Sequence, residues 1–310
     1  MINILNKFKF SLKPGIYSLA YHEICIKRPY HISHMSIFTS MENFRQHMKY
    51  ISDHFEIIDI KQLREYINGK PINAPKFFIT FDDGLKGNYD FAFPLLLEYK
   101  IPSIIFIITS LLYDPFPFQW NIALNYIISR EGETELKKLL KDKGYKPNSE
   151  NIRFWAIKNF SITVFNIIKS YFIEKYEKDL HNIFLSSDQI KKMQNSNRID
   201  FGLHTAIHPV MSKLTIDEQY KEVSNSLKTF KNFFQEIPEA YAHPYGHKDY
   251  YNNDTKIVLN KILPQPLIFS AYGGFNKNPI NIKDIKRICI HDISVKQLIK
   301  LLRKSCRHNH

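Results

Sequence analysis

The stretch that decides the fold prediction is Lys76-Phe77-Phe78-Ile79-Thr80-Phe81-Asp82-Asp83-Gly84. Apolar and β-favouring residues run into two adjacent carboxylates and a glycine, a pattern typical of a buried strand that ends abruptly. In α/β folds the carboxyl ends of the strands usually carry the chemistry. We therefore predict that Asp82 and Asp83 lie at a functional site.

Asp83-Gly84 is also a common hairpin signal, but the residues that follow argue against a hairpin. Residues 103–109 are typical of a second strand rather than of a nearby pairing partner. Between the two strands lies an apolar face at helical spacing, made of Tyr89, Phe93, Leu96 and Leu97. Strand, acidic turn, helix and strand form a βαβ unit.

The same reasoning extends the alternation along the chain. Further strands are predicted at 15–21, 55–60, 199–203, 238–242, 267–272 and 285–290, and helices at about 40–53, 60–68, from Thr215 and from Ser294 to 302. Glu218 follows Thr215 at the spacing of a capping box. Residues 111–185, which include Pro115 and Pro117, lack the strand signal, so we expect a helical insertion there.

Composition narrows the function classes. The chain has 310 residues, 44% of them hydrophobic, which is enough for a large core. The three cysteines are isolated, so neither a disulfide framework nor a Cys-x-x-Cys site is expected.

Charge and targeting signals bear on location and partners. The net charge is +13, but the lysines are scattered and no binding module accompanies them, so no specific nucleic-acid partner is expected. The sequence has neither a signal-peptide pattern nor a transmembrane helix pattern. We expect a cytoplasmic protein, and peripheral contact with the anionic inner face of a membrane stays open.

A second chemical motif follows the strand at 199–203. His204 and His208 are four residues apart, and two imidazoles at this spacing can converge on one metal ion while a carboxylate from elsewhere completes the ligand set. Pro209 disfavours helical geometry at His208, so we expect a loop or a single turn. Exposed, unrelated histidines are the alternative, which a second strand end carrying two aspartates makes weaker.

Three motifs in order resemble the polysaccharide deacetylases of carbohydrate esterase family 4, the NodB homology domain. They are Thr80-Phe81-Asp82-Asp83-Gly84, His204-Thr205-x-x-His208 and Pro244-Tyr245-Gly246. The opening Ala20-Tyr21-His22-Glu23-Ile24 also resembles the first strand of the longer bacterial members. The resemblance covers residues 1–310 as a single domain, apart from the insertion at about 111–185.

This resemblance implies an α/β fold, a distorted (β/α)7-type barrel of the glycoside hydrolase and deacetylase kind. It implies a divalent metal, usually Zn²⁺, with Co²⁺, Ni²⁺ or Mn²⁺ as alternatives, held by Asp83, His204 and His208. Asp82 would then be the general base, accepting a proton from a water whose pKa the metal has lowered. The backbone amide of Tyr245 would help to hold the oxyanion.

The sequence departs from the family pattern in two places. An arginine usually orients the base from the position that Ala242 occupies here, and Arg287 is a candidate substitute. The general acid is usually a histidine in a late Leu-x-His motif, which Ile290-His291-Asp292 resembles; an ordinary exposed histidine is the alternative for His291. For His22 a structural place beside the first strand is slightly favoured over substrate contact.

The resulting hypothesis is a metal-dependent hydrolase of carbon–nitrogen bonds that removes the N-acetyl group of an amino sugar. The sugar would belong to a polysaccharide, lipopolysaccharide or glycolipid precursor. One alternative is a deformylase of a lipid-linked formamido sugar, which differs by one methyl group in the acyl pocket. Another is a non-catalytic carbohydrate-binding or assembly protein on the same fold.

Overall fold

A computed structural model describes residues 12–112, 117–147 and 151–306. In these ranges the strands are β1 (Gly15–Tyr21), β2 (Glu23–Cys25), β3 (Phe38–Ser40), β4 (Glu56–Ile57), β5 (Pro75–Asp82), β6 (Ser103–Ile107), β7 (Ile199–Leu203), β8 (Ala240–Ala242), β9 (Leu267–Phe269) and β10 (Arg287–Cys289).

The helices surround these strands and follow the predicted alternation. They are α1 (Met41–His54), α2 (Ile60–Ile67), α3 (Phe93–Glu98), α4 (Trp120–Glu131), α5 (Thr134–Asp142), α6 (Ile152–Lys158), α7 (Ile162–Tyr176), α8 (Ser187–Gln194), α9 (Ile216–Phe234), α10 (Asn253–Ile262) and α11 (Val295–Ser305). None of the helices in the ranges given above has the length and apolar character needed to span a lipid bilayer.

A mostly parallel sheet forms the centre of the fold. Its strand order is β10-β1-β5-β6-β7-β8-β9, and β4 pairs with the first half of β5. A parallel bridge between Phe269 of β9 and Ile285, just before β10, joins the two edges of the sheet. The sheet is therefore nearly closed into a barrel of seven strands with helices outside, which confirms the predicted (β/α)7-type fold.

Parallel pairing places the carboxyl ends of these strands on one rim of the barrel. His22 follows β1, Asp82 ends β5 and His204 follows β7. Tyr245 lies shortly after β8, and His291 shortly after β10. Residues from distant parts of the sequence thus meet at a single rim.

Local chemistry explains where element boundaries differ from the predictions. The predicted strand at 55–60 is only Glu56–Ile57, because the Asp59 side chain forms a capping box with Gln62 and starts α2. The predicted strands at 238–242, 267–272 and 285–290 each shorten to three residues. The capping box of Thr215 and Glu218 forms as predicted and begins α9.

The stretch predicted as a helical insertion contains α4 to α7 and a short 3-10 helix, Glu177–Asn182. Its residues 113–116, with Pro115, and 148–150 lie outside the described ranges. The end of this stretch returns to the acidic turn, where Leu185 N donates to Gly84 O at 2.9 Å. At its start, Trp120 Nε1 donates to His208 O at 2.8 Å. The loop that carries His204 and His208 and the acidic turn Asp82-Asp83-Gly84 therefore both contact the helical stretch.

Candidate active site

The acidic turn at the end of β5 has an unusual backbone. Asp83 and Gly84 both have positive φ, 70° and 69°. A Cβ atom on Gly84 would clash with the Ile107 side chain, so this position requires glycine. Positive φ at a non-glycine residue costs roughly 1–3 kcal/mol, and it occurs again at His208 and Tyr245, with φ of 55° and 60°. Three of the eight non-glycine residues with positive φ in the described ranges are thus predicted site residues.

Asp83, His204 and His208 converge as the sequence predicted. Asp83 Oδ1 lies 3.6 Å from His204 Nε2 and 3.4 Å from His208 Nε2, and one ligand atom from each residue falls within 4.8 Å of the others. Ligands at about 2.1 Å from one tetrahedral ion lie roughly 3.4 Å apart. The three buried side chains could therefore hold one divalent ion.

The protonation of this triad also suits a cation. Burial lowers the pKa of both His204 and His208, so the imidazoles are neutral and their approach to Asp83 is not an ion pair. His204 Nδ1 donates to Ala242 O at 2.9 Å, which leaves a lone pair on Nε2, facing Asp83.

The buried carboxylate of Asp83 lacks a full set of polar partners. Among the described residues its buried Oδ1 has no hydrogen-bond partner. Burial and the nearby charge of Asp82 raise the pKa of Asp83 to about 8. A cation beside this carboxylate would supply the missing partner, so the donor set fits a metal.

A buried acid holds the loop that carries His204 and His208. Glu222 of α9 accepts hydrogen bonds from Ala206 N and Ile207 N, both at 2.8 Å. Thr205 Oγ1 accepts from His208 N at 3.0 Å. The segment is a bent loop rather than a helix, as the position of Pro209 predicted.

Sequence reasoning missed Glu222, although a signal exists. Gln219, Glu222 and Ser226 are polar, recur at spacings of three and four, and are buried on the inner face of α9. A polar stripe on an otherwise apolar helix face indicates hydrogen-bonding partners inside the fold.

Asp82 is bound by Arg287, which reaches it from β10. Arg287 Nη1 lies 2.6 Å from Asp82 Oδ1 and Nη2 lies 2.9 Å from Oδ2. Arg287 also donates to Thr80 Oγ1 and Ser270 O. Burial alone would raise the pKa of Asp82, but the charge and hydrogen bonds of Arg287, together with the nearby His204 and His22, outweigh it and hold that pKa well below its usual range. An arginine thus contacts the predicted base from β10 instead of from position 242.

The remaining predicted site residues line a cavity of about 400 Å³ together with Asp82 and the triad. The His22 Nε2 atom is 3.7 Å from Asp82 Oδ2, and burial lowers the pKa of His22 to about 4, so this imidazole is neutral. His291 is exposed at the cavity wall.

Tyr245 approaches the triad from the loop after β8. Its ring centroid lies 4.8 Å from that of His208. Within the described part of the chain no acceptor is found for its backbone N–H. A Cβ atom on the next residue, Gly246, would clash with Ala271, so the sharp turn at Tyr245 depends on glycine.

Glu23 contacts the segment that follows the acidic turn. Its Oε1 accepts from Gly87 N at 3.0 Å, and its Oε2 lies 3.3 Å from His31 Nε2. The sequence pattern placed Glu23 at the end of β1 without assigning this contact.

The helical stretch between β6 and β7 supplies a further part of the cavity wall. Gln119, Asn121, Arg153 and Phe154 line the same cavity as the triad. Their sequence carried no signal for this position, because helical periodicity does not say which face turns to the barrel rim.

The chain is similar to a known protein family and to several solved structures. Residues 69–262, more than half of the chain, match the family model described as polysaccharide deacetylase. The chain belongs to the polysaccharide deacetylase family, and it is a hydrolase of carbon–nitrogen bonds other than peptide bonds. The resemblance predicted from the three motifs is confirmed.

Solved structures with similar folds include the deacetylase PplD of Streptococcus pyogenes in complex with acetate, at a TM-score of 0.62 and 18% identity, covering 94% of this chain and 99% of that chain. IcaB from Ammonifex degensii has a TM-score of 0.63 and 18% identity, covering 94% and 98%. A de-N-acetylase from Aggregatibacter actinomycetemcomitans has a TM-score of 0.62 and 16% identity, covering 93% and 99%. No curated protein matches the chain significantly.

Proposed function

We propose that the chain is a metal-dependent deacetylase that hydrolyses the N-acetyl group of an amino sugar in a polysaccharide, lipopolysaccharide or glycolipid precursor. The observation that carries the proposal is the convergence of Asp83, His204 and His208 beside an Asp82 that is paired with Arg287. We also propose that residues 1–310 act as one domain, with about 111–185 as an insertion.

We assign the metal to Asp83, His204 and His208. One carboxylate and two neutral imidazoles suit Zn²⁺ best, and Co²⁺, Ni²⁺ or Mn²⁺ would also be accepted by such ligands. When bound, a divalent ion acts as a Lewis acid and lowers the pKa of water by several units.

Asp82 would be the general base. Its carboxylate is ionised at neutral pH and both of its oxygens are oriented by Arg287. A weakly basic carboxylate would suffice for this role, because a bound ion would lower the pKa of the water to be deprotonated. Arg287 would act as a positioning residue that fixes this base.

The two remaining roles belong to residues on neighbouring loops. The backbone N–H of Tyr245 would donate to the oxyanion that forms at the amide carbonyl. His291 would give a proton to the departing amine. We expect His291→Gln to lower kcat by roughly 100-fold while metal content stays normal; an unchanged kcat would exclude His291 as the acid.

The central experiment combines metal analysis of the purified protein with assays of acetate and formate release. The substrates are N-acetylated and N-formylated amino sugars, as polymers and as phosphate-linked precursors. One divalent ion per chain and chelator-sensitive acetate release would support the proposal. Formate release alone would replace it with a deformylase, and absence of metal after zinc or cobalt supplementation would favour a non-catalytic carbohydrate-binding protein.

A cytoplasmic location, with peripheral contact to an anionic membrane, stays a prediction. Cell fractionation at low and high salt checks it, because contact through surface lysines would weaken as salt rises.

A further inference from the structure

The wall of the cavity that the helical stretch supplies carries a positive charge without a matching acid. Arg153 of α6 lines the cavity and is half-buried. Its Nε donates to Asn121 Oδ1 at 3.1 Å, which is a neutral partner. Among the described residues no carboxylate lies within ion-pair distance of the guanidinium. A partly desolvated arginine with no acid partner is costly unless an anion joins it.

A second observation at the same wall points to a missing ligand. Gln119 is only 1% exposed and lines the cavity. Its Oε1 accepts from Ile122 N at the start of α4, which fixes the orientation of the amide. The Gln119 Nε2 group is buried and has no partner among the described residues. Buried amide donors are almost always hydrogen-bonded.

We propose that Arg153 and Gln119 form a subsite for an oxyanion, a phosphate or a carboxylate, carried by the sugar that is deacetylated. The inference rests on the proposed function, since it defines the class of its substrate. A guanidinium binds either oxyanion with two parallel hydrogen bonds, and an amide N–H can add a third. A neutral hydroxyl would leave the charge of Arg153 uncompensated.

The position of Arg153 places this subsite next to the chemistry. Arg153 and Tyr245 line the same cavity as the triad, and the Tyr245 ring packs on His208. A cavity of about 400 Å³ suits one small ligand rather than a long polymer segment. One amino sugar with an anionic substituent could therefore occupy both the metal site and the subsite.

Binding of defined sugars tests the subsite without relying on turnover. The probes are neutral N-acetylglucosamine, its 1-phosphate and 6-phosphate, and N-acetylmuramic acid, which carries a carboxylate. Each is titrated calorimetrically into the zinc-loaded full chain, with Asp82→Asn present to prevent hydrolysis. We expect at least one anionic sugar to bind about tenfold more tightly than the neutral one. The phosphate and carboxylate probes tell the two oxyanions apart.

Substitutions in α6 distinguish an effect of the Arg153 charge from a general effect on folding. Arg153→Gln is expected to abolish the tenfold preference and leave the neutral sugar within twofold, whereas Arg153→Lys retains part of it. Lys158→Gln removes a charge from the exposed end of the same helix and should keep the preference. Equal affinity for anionic and neutral sugars, or a preference that survives Arg153→Gln, would overturn the subsite.

Acetate release from the same sugars distinguishes the two proposals. With the preferred anionic sugar, Arg153→Gln should raise KM about tenfold while kcat stays within about threefold. An Arg153-dependent binding preference without acetate release would leave the subsite standing and remove the deacetylase. Equal rates of acetate release from neutral and anionic sugars would leave the deacetylase standing and remove the subsite.

Discussion

Arg287 and Asp82 are separated by 205 residues in the sequence and form a bidentate pair in the interior of the barrel. β10 carries Arg287 and β5 ends in Asp82, and β1 lies between these two strands. Arg287 also donates to Ser270 O, in the residue after β9. The contact that orients the proposed base thus also links both sheet edges that close the barrel.

Breaking this pair is expected to destabilise the protein strongly. Arg287→Met should lower the free energy of unfolding by about 3–5 kcal/mol, because it leaves the buried Asp82 carboxylate without its counter-charge. Adding Asp82→Asn removes that charge and should restore part of the loss. Urea unfolding of the wild type, both single variants and the double variant measures the coupling. If the two substitutions change the free energy of unfolding additively, the two side chains are not coupled.

Different substitutions should abolish metal binding and proton transfer. Asp83→Ala or His204→Ala removes a ligand and should lower metal content together with activity. Asp82→Asn should keep one ion per chain, because Asp82 pairs with Arg287 instead of joining the ligand cluster, and should lower acetate release at least about 100-fold. Metal analysis and acetate assays on the same preparations check both. Normal turnover in Asp82→Asn would remove it as the base.

The site residues that could be predicted from the sequence are those whose motif follows directly on a predicted strand. Asp82 and Asp83 follow a continuous apolar strand, and His204 follows another, so parallel pairing was sufficient to bring them to one rim. The starts of α9 and α11 could be predicted because their caps are local.

Contacts that depend on barrel register and closure could not be predicted with certainty. Arg287 was only a candidate for the orienting arginine, since its reach past β1 depends on the pairing of three strands. Glu222 is marked only by the polar stripe on α9, which does not say which groups it binds. Gln119 caps α4 and Arg153 lies on α6, and packing rather than local pattern fixes the orientation of these helices to the barrel.

Glu222 should control metal affinity although it touches no ligand atom. Glu222→Ala removes the acceptor of two backbone amides in the loop between His204 and His208. The metal dissociation constant should rise about 10–100-fold, as for other residues that orient metal ligands. Glu222→Gln keeps an acceptor oxygen and should lose less. Zinc competition titration measures both, and equal affinity in wild type and Glu222→Ala would contradict this role.

Asp292 should stabilise the fold in a pH-dependent way. Its carboxylate accepts from Ser40 N, Ser40 Oγ and Asn43 Nδ2, which joins the loop after β10 to the start of α1. Burial alone would raise the pKa of Asp292, but these hydrogen bonds outweigh it and hold the pKa below its ordinary value.

A pKa lowered by folding means that this stabilisation is present above the pKa of the unfolded chain, about 3.9, and is lost as the pH falls through the folded value. Asp292→Ala should lower the free energy of unfolding by about 1 kcal/mol at pH 7. Asp292→Asn keeps an acceptor oxygen and should lose less. Urea unfolding at pH 7 and pH 3 measures the difference from wild type, which should narrow at the lower pH; an equal difference at both would mean that the carboxylate charge plays no part.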